Sequence, residues 1–208
     1  MTYFLNIGVI VIMKKLNRSF YDRDARIVAE ELIGKVLVRK YEDKIIKTRI
    51  NETEAYIAEI DKASHAYGNK ITPRTKIMFG PPGFTYVYFI YGMYYCMNFV
   101  TEGEGTCSAV LIRGAEPIEN IEEMCLNRYN KTLDKITKIQ IKNLSNGPGK
   151  LCNALKINKS HNGLDLTGNE MYVEYDGFKD FNVKKTKRIN IDYAEEAKDF
   201  LWRYILYK

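Results

Sequence analysis

The chain is poor in the residues that build metal centres: two histidines and four cysteines in 208 residues, with a single tryptophan and five prolines. Cys96, Cys107, Cys125 and Cys152 are scattered, with no CxxC pair, so the ligand spacing of a zinc site is absent and a reduced compartment is the simplest reading. Cys96, Cys107 and Cys152 stand among apolar neighbours and read as small core residues. The apolar stretch Ile7 to Ile12 is too short to span a bilayer and lacks both a basic flank and a small-residue cleavage site. Starting at Met13 would give Met-Lys-Lys-Leu, so we expect residues 1–12 to be an extension and 13–208 to form one domain. No serine or cysteine sits in a nucleophile elbow, no glycines form a phosphate loop, and neither repeats nor low-complexity segments occur.

What the chain does have is tyrosine and positive charge. Hydrophobic residues make up 46%, enough for a substantial core, and the net charge is +6. That charge suits an anionic partner, nucleic acid or an acidic membrane surface, although lysine runs usually only face water. Five of the sixteen tyrosines fall within Thr85 to Asn98. A tyrosine ring offers flat area with few rotatable bonds and a hydroxyl that tolerates a half-wet site, which suits stacking on a base. The same composition also suits a buried strand pair.

The spacing predicts a helix over Arg23 to Leu32, closed by Gly34, and then a hairpin of Lys35 to Lys40 and Ile45 to Tyr56 turning at Asp43-Lys44. Asp61 to Pro82 reads as a long functional loop. Phe84 to Tyr91 and Tyr94 to Val100 read as strands joined at Gly92-Met93, with the sheet centre as an alternative position. Cys107 to Arg113 reads as a strand ending in a polar turn, Gly114 to Pro117, followed by a helix over Ile118 to Tyr129. Lys131 to Lys142 carries a basic stripe at helical spacing, and Lys150 to Leu155 reads as a short helix with proline near its first turn. Lys184 to Arg188 is the densest basic cluster. Asp192 is the expected cap of a final helix from Tyr193 towards Leu206.

Strand alternation puts Ile50, Glu52, Glu54 and Tyr56 on one face. A Glu-x-Glu pair on a strand is common on exposed faces. Here, however, Tyr56 is close by, His65 lies in the next loop, and Arg113 ends an apolar strand. A carboxylate beside an arginine stays ionised, as a general base requires, and water is then the best available nucleophile.

The ordered blocks Asn51-Glu-Thr-Glu-Ala-Tyr56, Ser64-His65, Thr72-Pro-Arg74, Tyr86-Val-Tyr88, Tyr91-Gly-Met-Tyr94, Cys96-Met-Asn98, Arg113-Gly-Ala-Glu-Pro117 and Gly147-Pro-Gly-Lys-Leu-Cys152 carry a resemblance. Together they resemble the alkyladenine (3-methyladenine) DNA glycosylase family. The resemblance covers most of the chain after residue 20, with a weaker echo in Arg188-Ile-Asn-Ile191. Gly149 departs from it, since some relatives have serine there.

The resemblance implies a single mixed α/β (α+β) domain with a curved, mainly antiparallel sheet and surrounding helices. It implies a monofunctional glycosylase that flips a damaged purine from duplex DNA and hydrolyses its N-glycosidic bond, with no cofactor and no metal. By position, Glu54 matches the general base and Arg113 the arginine that helps place water. Tyr56, His65, Tyr88, Asn98 and Cys96 match the base pocket, with Asn98 crowding guanine's amino group. Tyr91 and Met93 match the groups that enter the duplex, and Arg74 and Lys150 fall in backbone-contacting segments. The implied partner is double-stranded DNA met by a monomer off the membrane, in the cytoplasm at the nucleoid, or in a eukaryotic nucleus. Two other classes fit some of the same residues: a noncatalytic single-strand binder, which needs no Glu54, and a carbohydrate glycosidase using Glu52 and Glu54.

Overall fold

The computed structural model describes residues 13–207, so the expected extension 1–12 lies outside the described residues. Nine strands form one mainly antiparallel sheet that does not close into a barrel: β1 (Lys14–Lys15), β2 (Val36–Tyr41), β3 (Lys44–Ile57), β4 (Thr85–Ile90), β5 (Tyr94–Thr101), β6 (Ser108–Glu119), β7 (Met171–Tyr175), β8 (Asn182–Thr186) and β9 (Arg203–Tyr207). Their order is β1-β7-β2-β3-β6-β5-β4, with β9 paired to β3 and β8 to β9. Five helices complete a mixed α/β domain: α1 (Arg18–Tyr21), α2 (Ala25–Leu32), α3 (Ile121–Tyr129), α4 (Lys138–Lys142) and α5 (Pro148–Ala154).

Helix α2 starts where the Asp24 carboxylate accepts from the Arg26 amide, and it buries Ala25, Val28, Ala29 and Leu32 on one stripe. Burying a side chain the size of Val28 or Leu32 stabilises the fold by about 1.5–3 kcal/mol. That stripe shares one core with Ile46, Ile50, Ala55, Val110 and Ile112 of the sheet and with Leu151, Cys152 and Ala154 of α5. All four cysteines are buried as free thiols.

The long strand β3 does not keep one alternation. Ile50 pairs with Ala115 and Glu52 with Gly114, which leaves Asn51 as an extra residue on β3; Thr53 then pairs with Ile112, which leaves Arg113 as an extra residue on β6. These adjacent bulges re-aim the side chains. Ile46 and Ile50 face the core before them, whereas Ala55 and Ile57 face it afterwards. The expectation that Ile50 shares a face with Glu52, Glu54 and Tyr56 is therefore corrected: it points the other way.

Several expected elements also change. The first hairpin turns at Glu42-Asp43, with Glu42 at φ 53°, and Lys44 already belongs to β3. The tyrosine-rich hairpin lies at the sheet edge, not its centre. Strand β6 runs on to Glu119, so Gly114 to Pro117 is no turn and α3 begins only at Ile121. The basic stripe is not one helix: a 3-10 turn, Leu133–Lys135, precedes α4, whose start is set by a Thr137–Gln140 capping box. The final helix is absent. A 3-10 turn, Glu195–Asp199, leads into β9, where Tyr204 is buried while its neighbours are partly exposed. Aromatic and branched residues alternating from Trp202 to Tyr207 favour the pleated state there.

Candidate active site

One face of β3, β4, β5 and β6 lines a cavity of about 380 Å³, closed on its other sides by the loop after β3, the start of α5 and the segment Ile189–Tyr193. Strand alternation supplies every second residue: Tyr86 and Tyr88 from β4, Cys96 and Asn98 from β5, Ala109 and Leu111 from β6, Tyr56 from β3. A volume in this range suits a small organic ligand.

Glu54 is fully buried behind the wall of this cavity. One carboxylate oxygen accepts from the Tyr56 hydroxyl at 2.8 Å and from Arg113 at 3.4 Å; the other accepts from the Ile189 amide at 2.9 Å. Tyr56, Arg113 and Ile189 all line the cavity, so Glu54 is one residue removed from it. Burial raises its carboxyl above the ordinary value, opposed by the Arg113 charge and the Tyr56 and Ile189 hydrogen bonds. An ionised carboxylate has about four acceptor positions, and three are taken. Glu52 has a different task. Its Oε1 accepts from Arg113 at 2.9 Å and from Arg203 at 2.6 Å, which fixes Arg113 between two carboxylates.

Tyr56 and Tyr88 are two of the aromatic side chains that line the cavity. Behind Tyr56 lies Arg188, its guanidinium carbon 4.6 Å from the ring centroid, in a fully buried pair with Asp61. The same guanidinium donates to the carbonyls of Ala55 and Ala197. Arg188 thus anchors the segment whose next amide reaches Glu54. Tyr88 meets the edge of His65 at 4.6 Å and carries the Arg74 guanidinium 4.8 Å from its centroid. His65 lines the cavity, yet both ring nitrogens are engaged: Nδ1 with the Tyr86 hydroxyl at 3.0 Å and Nε2 near Arg74 at 3.4 Å. Burial first, and then Arg74, push His65 down to about 4, so it is neutral at pH 7.

Asn98 is buried and donates from Nδ2 to the Tyr86 carbonyl at 3.1 Å, which fixes its carboxamide. Cys96 stands opposite Tyr88 in register, its thiol raised by burial. The hairpin tip carries the most exposed aromatic of the cavity: Tyr91 is 70% exposed and Met93 63%. Tyr91 adopts φ 54°, followed by Gly92 at φ 67°. A left-handed tyrosine costs about 1–2 kcal/mol, held here by closure of the strand pair.

Lys150 also lines the cavity, its ammonium held by Asn143 at 2.8 Å and Asn146 at 2.9 Å rather than by a carboxylate. Arg74 does not line it; it is tied to Tyr86 through Nε at 3.0 Å. Glycine at 149 has a local cause. A Cβ there would lie 2.7 Å from the Tyr94 ring, which occupies the space a serine would need.

Three contributors were not found from sequence. The Ile189 amide carries no side-chain signal. Arg188 was hidden in a basic cluster in which Lys185 and Lys187 make surface ion pairs with Glu30 and Asp199. Tyr193, 68% exposed at the cavity, was assigned to a helix that does not form. Among the described residues no His, Cys, Asp or Glu side chains cluster as metal ligands, and no helix is long and apolar enough to cross a membrane.

Known proteins share this arrangement's sequence over nearly its whole length. The family model described as Methylpurine-DNA glycosylase matches residues 19–208. A protein of Alkaliphilus oremlandii named "Putative 3-methyladenine DNA glycosylase" is 57% identical over 92% of this chain and 95% of its own length. Proteins of the same name from Desulfitobacterium hafniense and Clostridium perfringens are 54% and 53% identical, over 93% and 92% of this chain and 96% and 95% of their own lengths. The chain belongs to the methylpurine-DNA glycosylase family of DNA base-excision repair.

Proposed function

We propose that the protein extrudes a damaged purine from duplex DNA and hydrolyses its N-glycosidic bond with water activated by Glu54, leaving an abasic site. The observation that carries this reading is the carboxylate buried against Arg113, Tyr56 and the Ile189 amide at the wall of an aromatic cavity. Arg113 makes the longest of the three contacts. The fourth acceptor position would go to the water, with Arg113 beside it to help place it.

A base in a duplex is out of reach, and extruding it costs a few kcal/mol, least for damaged pairs. Tyr91 would fill the vacancy, with Met93 beside it, and Lys150 would hold a phosphate. Stacking between Tyr56 and Tyr88 would return about 1–3 kcal/mol per base. The fixed carboxamide of Asn98 cannot swing aside, so guanine's amino group would be crowded. As the bond breaks, positive charge grows on the sugar, and the Glu54 carboxylate both stabilises it and takes the proton from water. No lysine nucleophile is required, so the enzyme would be monofunctional and act as a monomer on double-stranded DNA in the cytoplasm.

Glu52 is held by two arginines, which leaves it no proton to donate and argues against a paired-carboxylate carbohydrate glycosidase. Duplexes carrying 3-methyladenine, 7-methylguanine, hypoxanthine or ethenoadenine test the proposal. Free base and alkali-labile sites should form together. Failure to release any of the four would remove it, and strand cleavage without alkali would remove the monofunctional mechanism.

A further inference from the structure

Two of the tyrosines that line the cavity, Tyr56 and Tyr88, each carry a guanidinium against the ring. Arg188 lies 4.6 Å from the Tyr56 centroid and Arg74 lies 4.8 Å from the Tyr88 centroid. The two tyrosines line the cavity and the two arginines do not. A ring's quadrupole attracts a cation to either face, and a cation already on one face weakens that attraction on the other.

The two arginines differ in compensation. Arg188 is neutralised by Asp61 in a fully buried pair, and the cavity's Arg113 by Glu52 and Glu54. Among the described residues no carboxylate pairs with Arg74. Its Nε bond to the Tyr86 hydroxyl keeps the guanidinium against the ring although the side chain is exposed. A base stacked on the cavity side of Tyr88 would carry its charge about 8 Å from Arg74, roughly one Debye length at physiological salt.

We propose that Arg74 is a specificity-determining residue that disfavours binding of positively charged purines relative to neutral ones. The proposal rests on the base-pocket reading above. Under it, cationic lesions are removed because they leave readily, not because the pocket prefers their charge. Arg74 thereby sharpens the advantage of neutral lesions in binding, where shape and stacking decide.

The test uses Glu54→Gln protein, so that binding is measured without turnover, with Arg74 intact, Arg74→Gln or Arg74→Lys. Dissociation constants are compared for duplexes carrying 7-methylguanine, a cation, or hypoxanthine, which is neutral, and for undamaged duplex at fixed salt. Differences in lesion shape cancel when the 7-methylguanine to hypoxanthine ratio is compared between variants. Arg74→Gln should shift that ratio about three- to tenfold towards 7-methylguanine, whereas Arg74→Lys, which keeps the charge, should retain the parent ratio. An unchanged ratio would overturn the proposal. If both affinities then fall together and the salt slope drops by about one, Arg74 is a phosphate contact; if they fall with the slope unchanged, it only braces Tyr86 and Tyr88. If no lesion binds more tightly than undamaged duplex, the base-pocket reading itself fails, separately from the role of Arg74.

Discussion

The two faces of β3 to β6 are made by alternate residues of the same strands, yet they have opposite characters. One carries Ala55, Ile57, Val110 and Ile112 into a hydrophobic core. The other carries Glu54, Tyr56, Leu111 and Arg113 to the cavity or its wall. Alternation alone does not produce this division, because the bulges at Asn51 and Arg113 exchange the two faces part-way along β3. The core face is redundant, many methyl groups sharing one task. On the cavity face each polar side chain has a separate bond to make, so single substitutions of these should change chemistry, and those on the core face stability.

The largest expected effect is at the extra residue on β6. Arg113→Gln removes the cation that opposes the desolvation of Glu54. Its carboxyl should then rise further, moving the acid limb of the pH–rate profile to higher pH and lowering base release at pH 7 by about 10²–10⁴-fold. A pH series under single-turnover conditions reads this. An unmoved limb would mean that Glu54 is not the titrating group.

Leu32→Ala on the core side should cost about 2–5 kcal/mol of unfolding free energy in a denaturant titration. The folded fraction should nevertheless excise at the parent rate, and a slower rate would blur the division between the faces. Tyr91→Ala should slow excision from duplex by roughly ten- to a hundredfold, the equivalent of 1–3 kcal/mol of stacking. It should spare a single-stranded substrate, in which no vacancy needs filling. Equal losses on both substrates would assign Tyr91 to the pocket and not to the duplex.

The smallest effect concerns pH and stability. His65 drops from an ordinary value of 6.5 to about 4, so between these values the unfolded chain binds a proton that the native protein refuses. Native stability from this source is present above 6.5 and is lost as pH falls towards 4. His65→Gln should therefore reduce the decline in denaturant midpoint between pH 7 and pH 5, leaving the part due to His161, which burial and Arg39 shift in the same direction. An unchanged decline would mean that His65 is not held neutral.

Tyr88, Cys96 and Asn98 were legible only through the family resemblance; strand alternation is what brings them together. Tyr86, Tyr88, Cys96 and Asn98 share a face by simple alternation, and the hairpin turn at Gly92 follows from the glycine's left-handed backbone. The position of Ile50 was not legible. A bulge is a property of two paired strands, and neither Asn51 nor Arg113 advertises it alone. The final helix was misread for a related reason: Asp192 looks like a cap, but β9 pairs with β3, Tyr204 opposite Thr53, a partner far earlier in the chain. Gly149 became intelligible only through Tyr94, and the Ile189 amide only through Glu54.

The central claim is that the cavity holds the base and Glu54 performs the chemistry. Glu54→Gln on a hypoxanthine duplex tests it most directly, with binding and single-turnover base release measured on the same preparation. Affinity should stay within a few-fold of the parent while release falls by about 10²–10⁴-fold. Release at the parental rate, or loss of binding and release together, would contradict it.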